Sequence, residues 1–259
     1  WMVEINLPKD AVWVRTRSFW HNYSGDFQPY YTWANSGVKV TDDMELIYPG
    51  TYTIGHDGIT TPYPVDEQGR DLSIYAQQRF GLDKSFHPGG THKGYFGAYW
   101  AGEDFGVLHY ALRDEKVGRK YFSWAQSEQG NIWVDLLTDK SPQYVELQSG
   151  RLFNQNLLES IYTPYKQFLF TPYGTDEWNE YWMPFSQIGG VDDMTLRAAV
   201  NVDRKDGIFE FGIYPYRDLK GTLVAVDASG NPVYKKEVDM KEMRREERRE
   251  TGDFIGLKE

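Results

Sequence analysis

The feature of this sequence that most constrains its fold is a rhythm of short aromatic and β-branched runs, broken repeatedly by Gly, Pro, Asn and Asp. AVWVRTRSFWHN, QPYYTWAN, GVKV and MELIYPGTYTIG follow one another with turn residues between them. Two more runs flank AGEDFG within GYFGAYWAGEDFGVLHYAL, and RDEKVGRKYFSW, NIWVDLLT and QYVELQSGR continue the series. One strand in roughly every 8–12 residues is the spacing of sandwiches and barrels, so the expected class is all-β. TTPYPVDEQGRDLS reads as a long loop of the kind that forms binding walls. FLFTPYGTDEWNEYWMPFSQIGG, dense in aromatics but broken by Pro and Gly, reads as a strand entering a loop that covers the main sheets. After Gly190 the alternation becomes cleaner in MTLRAAVNVDR, GIFEFGIYPYR and GTLVAVDASGNPVYKKEVDM. That pattern predicts a small β-module over 191–239, packed on a larger domain over 1–190. The segment 240–259, with MKEMRREERRETGD at its start, carries mixed charges at helical spacing and few apolar anchors, so it reads as an exposed helix or a linker.

Composition bounds the partners. The 259 residues carry a formal charge of −10, which opposes nucleic acid and anionic membranes because both need a cationic face. No run approaches ~18 apolar residues, so no membrane span is expected. Cysteine is absent, which removes disulfides, thiolate zinc sites and cysteine nucleophiles. The start, WMVEINLPKD, lacks a basic n-region and an apolar h-region, and the chain reads as beginning inside a longer gene product. The compartment stays open, because the absence of cysteine fits oxidising and reducing locations alike.

No signature of P-loop, Rossmann, zincin or α/β-hydrolase type is present. Carboxylates, histidines and an aromatic content of 16% remain, an inventory suited to carbohydrates. On a strand, YVELQSGR places Tyr144, Glu146 and Gln148 on one face and Val145 and Leu147 on the other. Glu146 is the first acid–base candidate, positioned by Gln148 and Arg151; an outward-facing strand residue in a surface ion pair is the equal alternative. His56, in GHDG at a strand end, is either a functional group or a turn-stabilising residue beside Asp57. His87 and His92 lie in the Gly-rich FHPGGTHKG at a spacing that suits a metal ion or a substrate contact, but read first as solvated loop residues, since a metal site needs three or four ligands. Asp42–Asp43 and Asp192–Asp193 read as solvated turns because no DxDxDG loop exists. No cofactor is called for, and a structural calcium ion stays open. Trp33, Trp100, Trp124, Trp178 and Trp182 are candidates for a sugar platform, although most are expected in the core.

YYTWANSGV, YPGTYTIGHDG, GRKYFSWAQ, LLTDKSPQYVELQSGRLFNQ and EYWMPFSQIGG resemble the 5107 family of domains of unknown function, over about residues 11–190. Such domains commonly precede tetratricopeptide repeats in bacterial proteins linked to polysaccharide use. The resemblance implies a galactose-mutarotase-like supersandwich with a concave sugar-binding side, of which this chain holds the central and C-terminal part. It also implies an oligosaccharide or monosaccharide ligand and a helical-repeat region in the full-length protein. The segment that carries the catalytic His in mutarotases reads TWANSG here, so simple mutarotase activity is not implied.

The resulting expectation is a carbohydrate-active domain, first as a glycan-processing enzyme of glycosidase or epimerase type. Glu146 would act as base or acid with His56 as partner. Trp33 and Trp124 would stack on the sugar, and Asn35, Gln148 and Arg151 would bind hydroxyls or orient the carboxylate. A second carboxylate is required for glycoside hydrolysis, and Asp57 is the residue considered for it. The competing expectation is a non-catalytic carbohydrate-binding or scaffold domain.

Overall fold

The computed structural model describes residues 1–82, 84–139, 141, 143–155, 168–205, 208–241 and 255–258. Its first sheet has six strands: β1 (Met2–Asn6), β2 (Val14–His21), β5 (Met44–Ile47), β9 (Tyr95–Trp100), β10 (Phe105–Ala111) and β14 (Thr175–Ser186). They run in the order β1-β2-β14-β10-β9-β5. The second sheet is built from β4 (Trp33–Lys39), β6 (Tyr52–Ile54), β7 (Thr60–Pro62), β8 (Lys84–Gly89), β11 (Gly118–Ser123) and β12 (Tyr144–Gly150), in the order β4-β12-β11-β8-β6-β7. Short strands β3 (Gln28–Tyr30) and β13 (Phe168–Phe170) pair beside them.

Alternation decides which side of each strand is buried. Val145 and Leu147 of β12, Tyr121 of β11 and Phe86 of β8 meet Leu46, Phe96 and Ala98 of the first sheet in one core between the sheets. The opposite face of the first sheet is also covered. Tyr95, Tyr99, Leu108, Met183 and Phe185 pack against Met194, Ala199, Tyr214 and Tyr216. Those residues belong to or follow β15 (Asp193–Met194), β16 (Ala198–Lys205) and β17 (Ile208–Pro215). Cover on both faces explains why YFGAYW reads as a nearly continuous apolar run rather than an alternating one. The strands expected after residue 190 are present, and β18 (Leu219–Val226) and β19 (Pro232–Met240) form a separate hairpin.

Three local readings need correction. NIWVDLLT is not a strand but most of helix α1 (Glu128–Leu137). Its apolar residues Ile132, Trp133, Leu136 and Leu137 recur at helical spacing, and Ser127 and Glu128 supply ordinary start residues. TDEWNEYWMPFS is not a covering loop but the long central strand β14, bonded to β10 and β2. It tolerates Pro184 because pairing with β2 stops at Trp182, so no ladder bond is asked of the proline nitrogen on that side. His87 lies in β8, not in a loop. Of the segment 240–259 expected as an exposed helix or linker, residues 242–254 and 259 lie outside the described residues; Met240 ends the last hairpin strand, and Ile255–Lys258 (β20) pairs with the edge of β17. Among the described residues no helix is long and apolar enough to cross a membrane.

Candidate functional site

The outward face of the second sheet carries a cleft of about 380 Å³, lined by Trp33, Asn35, Lys120, Phe122, Trp124, Glu146, Gln148 and Gln155. Strand register assembles it. Trp33, Asn35 and Gly37 of β4 pair with Gly150, Gln148 and Glu146 of β12, and these pair with Gly118, Lys120 and Phe122 of β11. Directly opposed residues share a face of the sheet, so three rows of side chains project together.

The row headed by Trp33 depends on two glycines. A Cβ at Gly150 would lie 2.5 Å from the Trp33 indole, and one at Gly118 would lie 2.9 Å from the same ring and 1.9 Å from the Leu152 carbonyl. The indole therefore rests directly on the backbone of β12 and β11. Gly150→Ala is expected to displace the Trp33 ring, with a stability loss of about 1–3 kcal/mol. A shift in tryptophan emission accompanied by a lower urea midpoint would show this; an unchanged spectrum would refute it.

Glu146 is held by two amides. Asn35 Nδ2 and Gln148 Nε2 each donate to Oε2 at 2.8 Å, an orientation required because a carboxylate only accepts. Its Oε1 has no protein donor among the described residues. Lys120 Nζ donates to the Gln155 side chain and lies 5.4 Å from the Phe122 ring centroid. Just past the C-terminal end of β11, Trp124 meets Phe122 at 4.8 Å and Trp133 at 5.2 Å between centroids.

The histidines lie outside this lining. His56 Nδ1–H donates to the Gln155 carbonyl at 2.8 Å, and its ring meets His87 edge to face at 4.9 Å. His87 donates from Nδ1 to the Ile54 carbonyl at 3.1 Å and accepts the Gln155 N–H at Nε2 at 3.2 Å. Burial, with His56 and Lys120 nearby, holds its pKa well below the ordinary imidazole range, so the ring is neutral with both nitrogens engaged. The two histidines thus position Gln155 at the cleft.

Arg151 is also elsewhere. Its guanidinium donates to Asp176 Oδ1 at 2.8 Å and to the Glu115 carbonyl, and lies 5.4 Å from the Trp178 ring centroid. The reason is parity: Arg151 follows the inward residues Leu147 and Ser149 in the two-residue alternation, whereas Glu146 and Gln148 face outward. Asp57 caps the Ile59 N–H at 2.9 Å in its turn. Trp100, Trp178 and Trp182 pack within the protein, on Phe105, Glu180 and Phe96 respectively. Sequence reasoning misses Lys120, Phe122 and Gln155 as lining residues. The alternation of GRKYFSW carries a signal for the first two; nothing in the sequence marks Gln155. No group of three side chains suited to hold a metal ion occurs among the described residues.

A second polar cluster lies between the sheets. Glu180 of β14 is 3% exposed and accepts hydrogen bonds from His109 Nε2 at 2.9 Å, Trp178 Nε1 at 2.9 Å and Ser149 Oγ. Lys116 Nζ stands 3.5 Å away. Burial opposes ionisation, but His109, Lys116 and Ser149 together hold the Glu180 carboxyl well below the usual range. Burial lowers the His109 pKa, and its Nδ1 has no partner among the described residues, so the ring is a neutral donor rather than a cation.

Comparison with known proteins agrees with this architecture. A TPR-domain-containing protein from Parabacteroides distasonis ATCC 8503 is similar at 19% identity and TM-score 0.56, over 70% of this chain and 29% of that one. The Slr1438 protein from Synechocystis sp. PCC 6803 gives 8% identity and TM-score 0.50, over 71% and 54%. A putative aldose 1-epimerase from Escherichia coli K12 gives 7% and 0.50, over 71% and 59%. At these identities the likeness concerns the fold alone, which is mutarotase-like as expected, and the chain spans less than two thirds of each relative. The sequence matches the domain of unknown function DUF5107 over residues 1–185, against the 11–190 read from the motifs. Because that match runs through every strand that builds the cleft, the chain belongs to the DUF5107 family.

Proposed function

We propose that the cleft binds carbohydrate, with Glu146 as the acceptor for sugar hydroxyls. The observation that carries this reading is the combination in one cleft of aromatic rings, Trp33, Phe122 and Trp124, with the convergent polar groups of Asn35, Lys120, Glu146, Gln148 and Gln155. A sugar offers apolar C–H faces and polar hydroxyls, and such a surface meets both needs. Recognition is favoured over hydrolysis: Glu146 is the only carboxylate among the described lining residues, and glycoside hydrolysis requires two. The likeness to a TPR-domain protein supports a place beside helical repeats, where bound glycan would be presented to a partner.

One observation favours a second reading. Glu146 is oriented through Oε2 by two amides while Oε1 has no donor among the described residues, the arrangement of a preset general base, in a fold shared with a putative aldose 1-epimerase. Glu146 would then take a proton from a sugar hydroxyl.

Calorimetric titration with glucose, galactose and mannose tests the binding reading. Trp124→Ala is expected to weaken the affinity about tenfold, roughly 1.4 kcal/mol. Absence of binding by any sugar tested, in monomeric or oligomeric form, would overturn it. Polarimetry on freshly dissolved α-anomers separates the two readings. A rate enhancement that Glu146→Gln abolishes while binding persists establishes proton transfer; no enhancement in the wild type leaves recognition alone.

A further inference from the structure

We infer that the cleft takes a glycan chain running along β12 rather than a single sugar, an inference that rests on the carbohydrate reading above. The outward residues of β12 are Tyr144, Glu146, Gln148 and Gly150, as the register with Lys39, Gly37, Asn35 and Trp33 shows. At the rise of a β-strand this track is ~20 Å long, several times the width of a pyranose ring. Its indole groups stand at the two ends, while the Phe122 ring lies beside Glu146 between them. Trp33 rests on Gly150 and Gly118 at one end. At the other, Trp124 meets Tyr144 at 6.1 Å and Trp133 at 5.2 Å, the latter pair tilted by 40°. The polar groups of Asn35, Gln148 and Glu146 lie between. One ring stacked on Trp33 does not reach Trp124, whereas a short chain engages both ends and spans the polar floor.

The far platform is firmly seated. A Cβ at Gly130 would fall 1.7 Å from the Ala125 carbonyl, so only glycine lets α1 approach the end of β11 this closely. Gln143 Nε2 donates to the Gly130 carbonyl at 3.0 Å and ties the helix to the start of β12. Trp133 is thereby held beside Trp124, and the aromatic surface continues from the sheet onto the helix. A preset surface of this kind loses little conformational entropy when a chain binds.

Titration with the mono-, di- and tetrasaccharides of the gluco-, galacto- and manno-series tests the inference. Affinity is expected to rise about tenfold or more from mono- to tetrasaccharide, equivalent to roughly 1.4 kcal/mol. In Trp133→Ala, checked for folding by its circular dichroism spectrum, most of that gain is expected to disappear, and Trp133→Phe should retain it. Equal affinities for mono- and tetrasaccharide in the wild type would overturn the inference while leaving the carbohydrate reading intact. A gain that survives in Trp133→Ala would also overturn it. No binding at any length would remove both.

Discussion

Glu180→Gln is expected to lower the stability of the domain by about 3–5 kcal/mol, the usual cost of leaving a buried charge without its partner. The carboxylate accepts hydrogen bonds from His109, Trp178 and Ser149 and faces the Lys116 ammonium, whose side chain is 1% exposed. A neutral amide cannot balance that cation. It also presents two N–H donors where three donors already converge, so part of the network must break. At this chain length the loss corresponds to a fall in Tm of roughly 10 °C. Urea unfolding measures it directly, and a loss below about 1 kcal/mol would show that the cluster does not carry this weight. The double variant Glu180→Gln/Lys116→Met should recover much of the loss, because it removes the orphaned cation. Ser149 lies between Gln148 and Gly150, so the same cluster anchors β12 from beneath the cleft.

Acidification gives the second large effect. His87 and His109 are each 1% exposed and neutral in the fold, with pKa values pushed down chiefly by burial. In the unfolded chain both titrate near ~6.5. As pH falls below that value the unfolded state gains protons that the folded state does not take up, so stability declines. The slope is up to about 1.4 kcal/mol per pH unit for each ring, until the folded pKa is reached. Glu180 adds to the decline later. Its contribution is complete above the ordinary carboxylate range and is lost as pH falls towards its depressed folded value. A drop of up to about 2 kcal/mol from each ring, about 4 kcal/mol together, is therefore expected between roughly pH 7 and 5, measured as unfolding free energy. His87→Gln should flatten this dependence; an identical slope in that variant would exclude His87 as its source.

Much of the cleft is legible as strand parity. YVELQSGR alternates, and the structure places Tyr144, Glu146 and Gln148 outward with Val145 and Leu147 in the core. The same rule sends Arg151 inward, where it meets Asp176 rather than Glu146. Other readings fail because a local pattern has two solutions. NIWVDLLT is rich in residues that favour strands, yet its spacing also fits one face of a helix. EWNEYWMPF is broken by proline, yet the break falls where the neighbouring strand has already ended.

By itself the sequence determined the all-β class, the alternating faces of each strand and the family motifs, because pleat and turn chemistry act over a few residues. Only the tertiary structure decided that β4 and β11 flank β12, and hence that Asn35 from 111 residues away holds Glu146. Likewise, Ser149 meets Glu180 only because two sheets stack face to face. Strand order and sheet stacking follow from which apolar faces can be buried together, a property of the whole chain that no single run of residues contains.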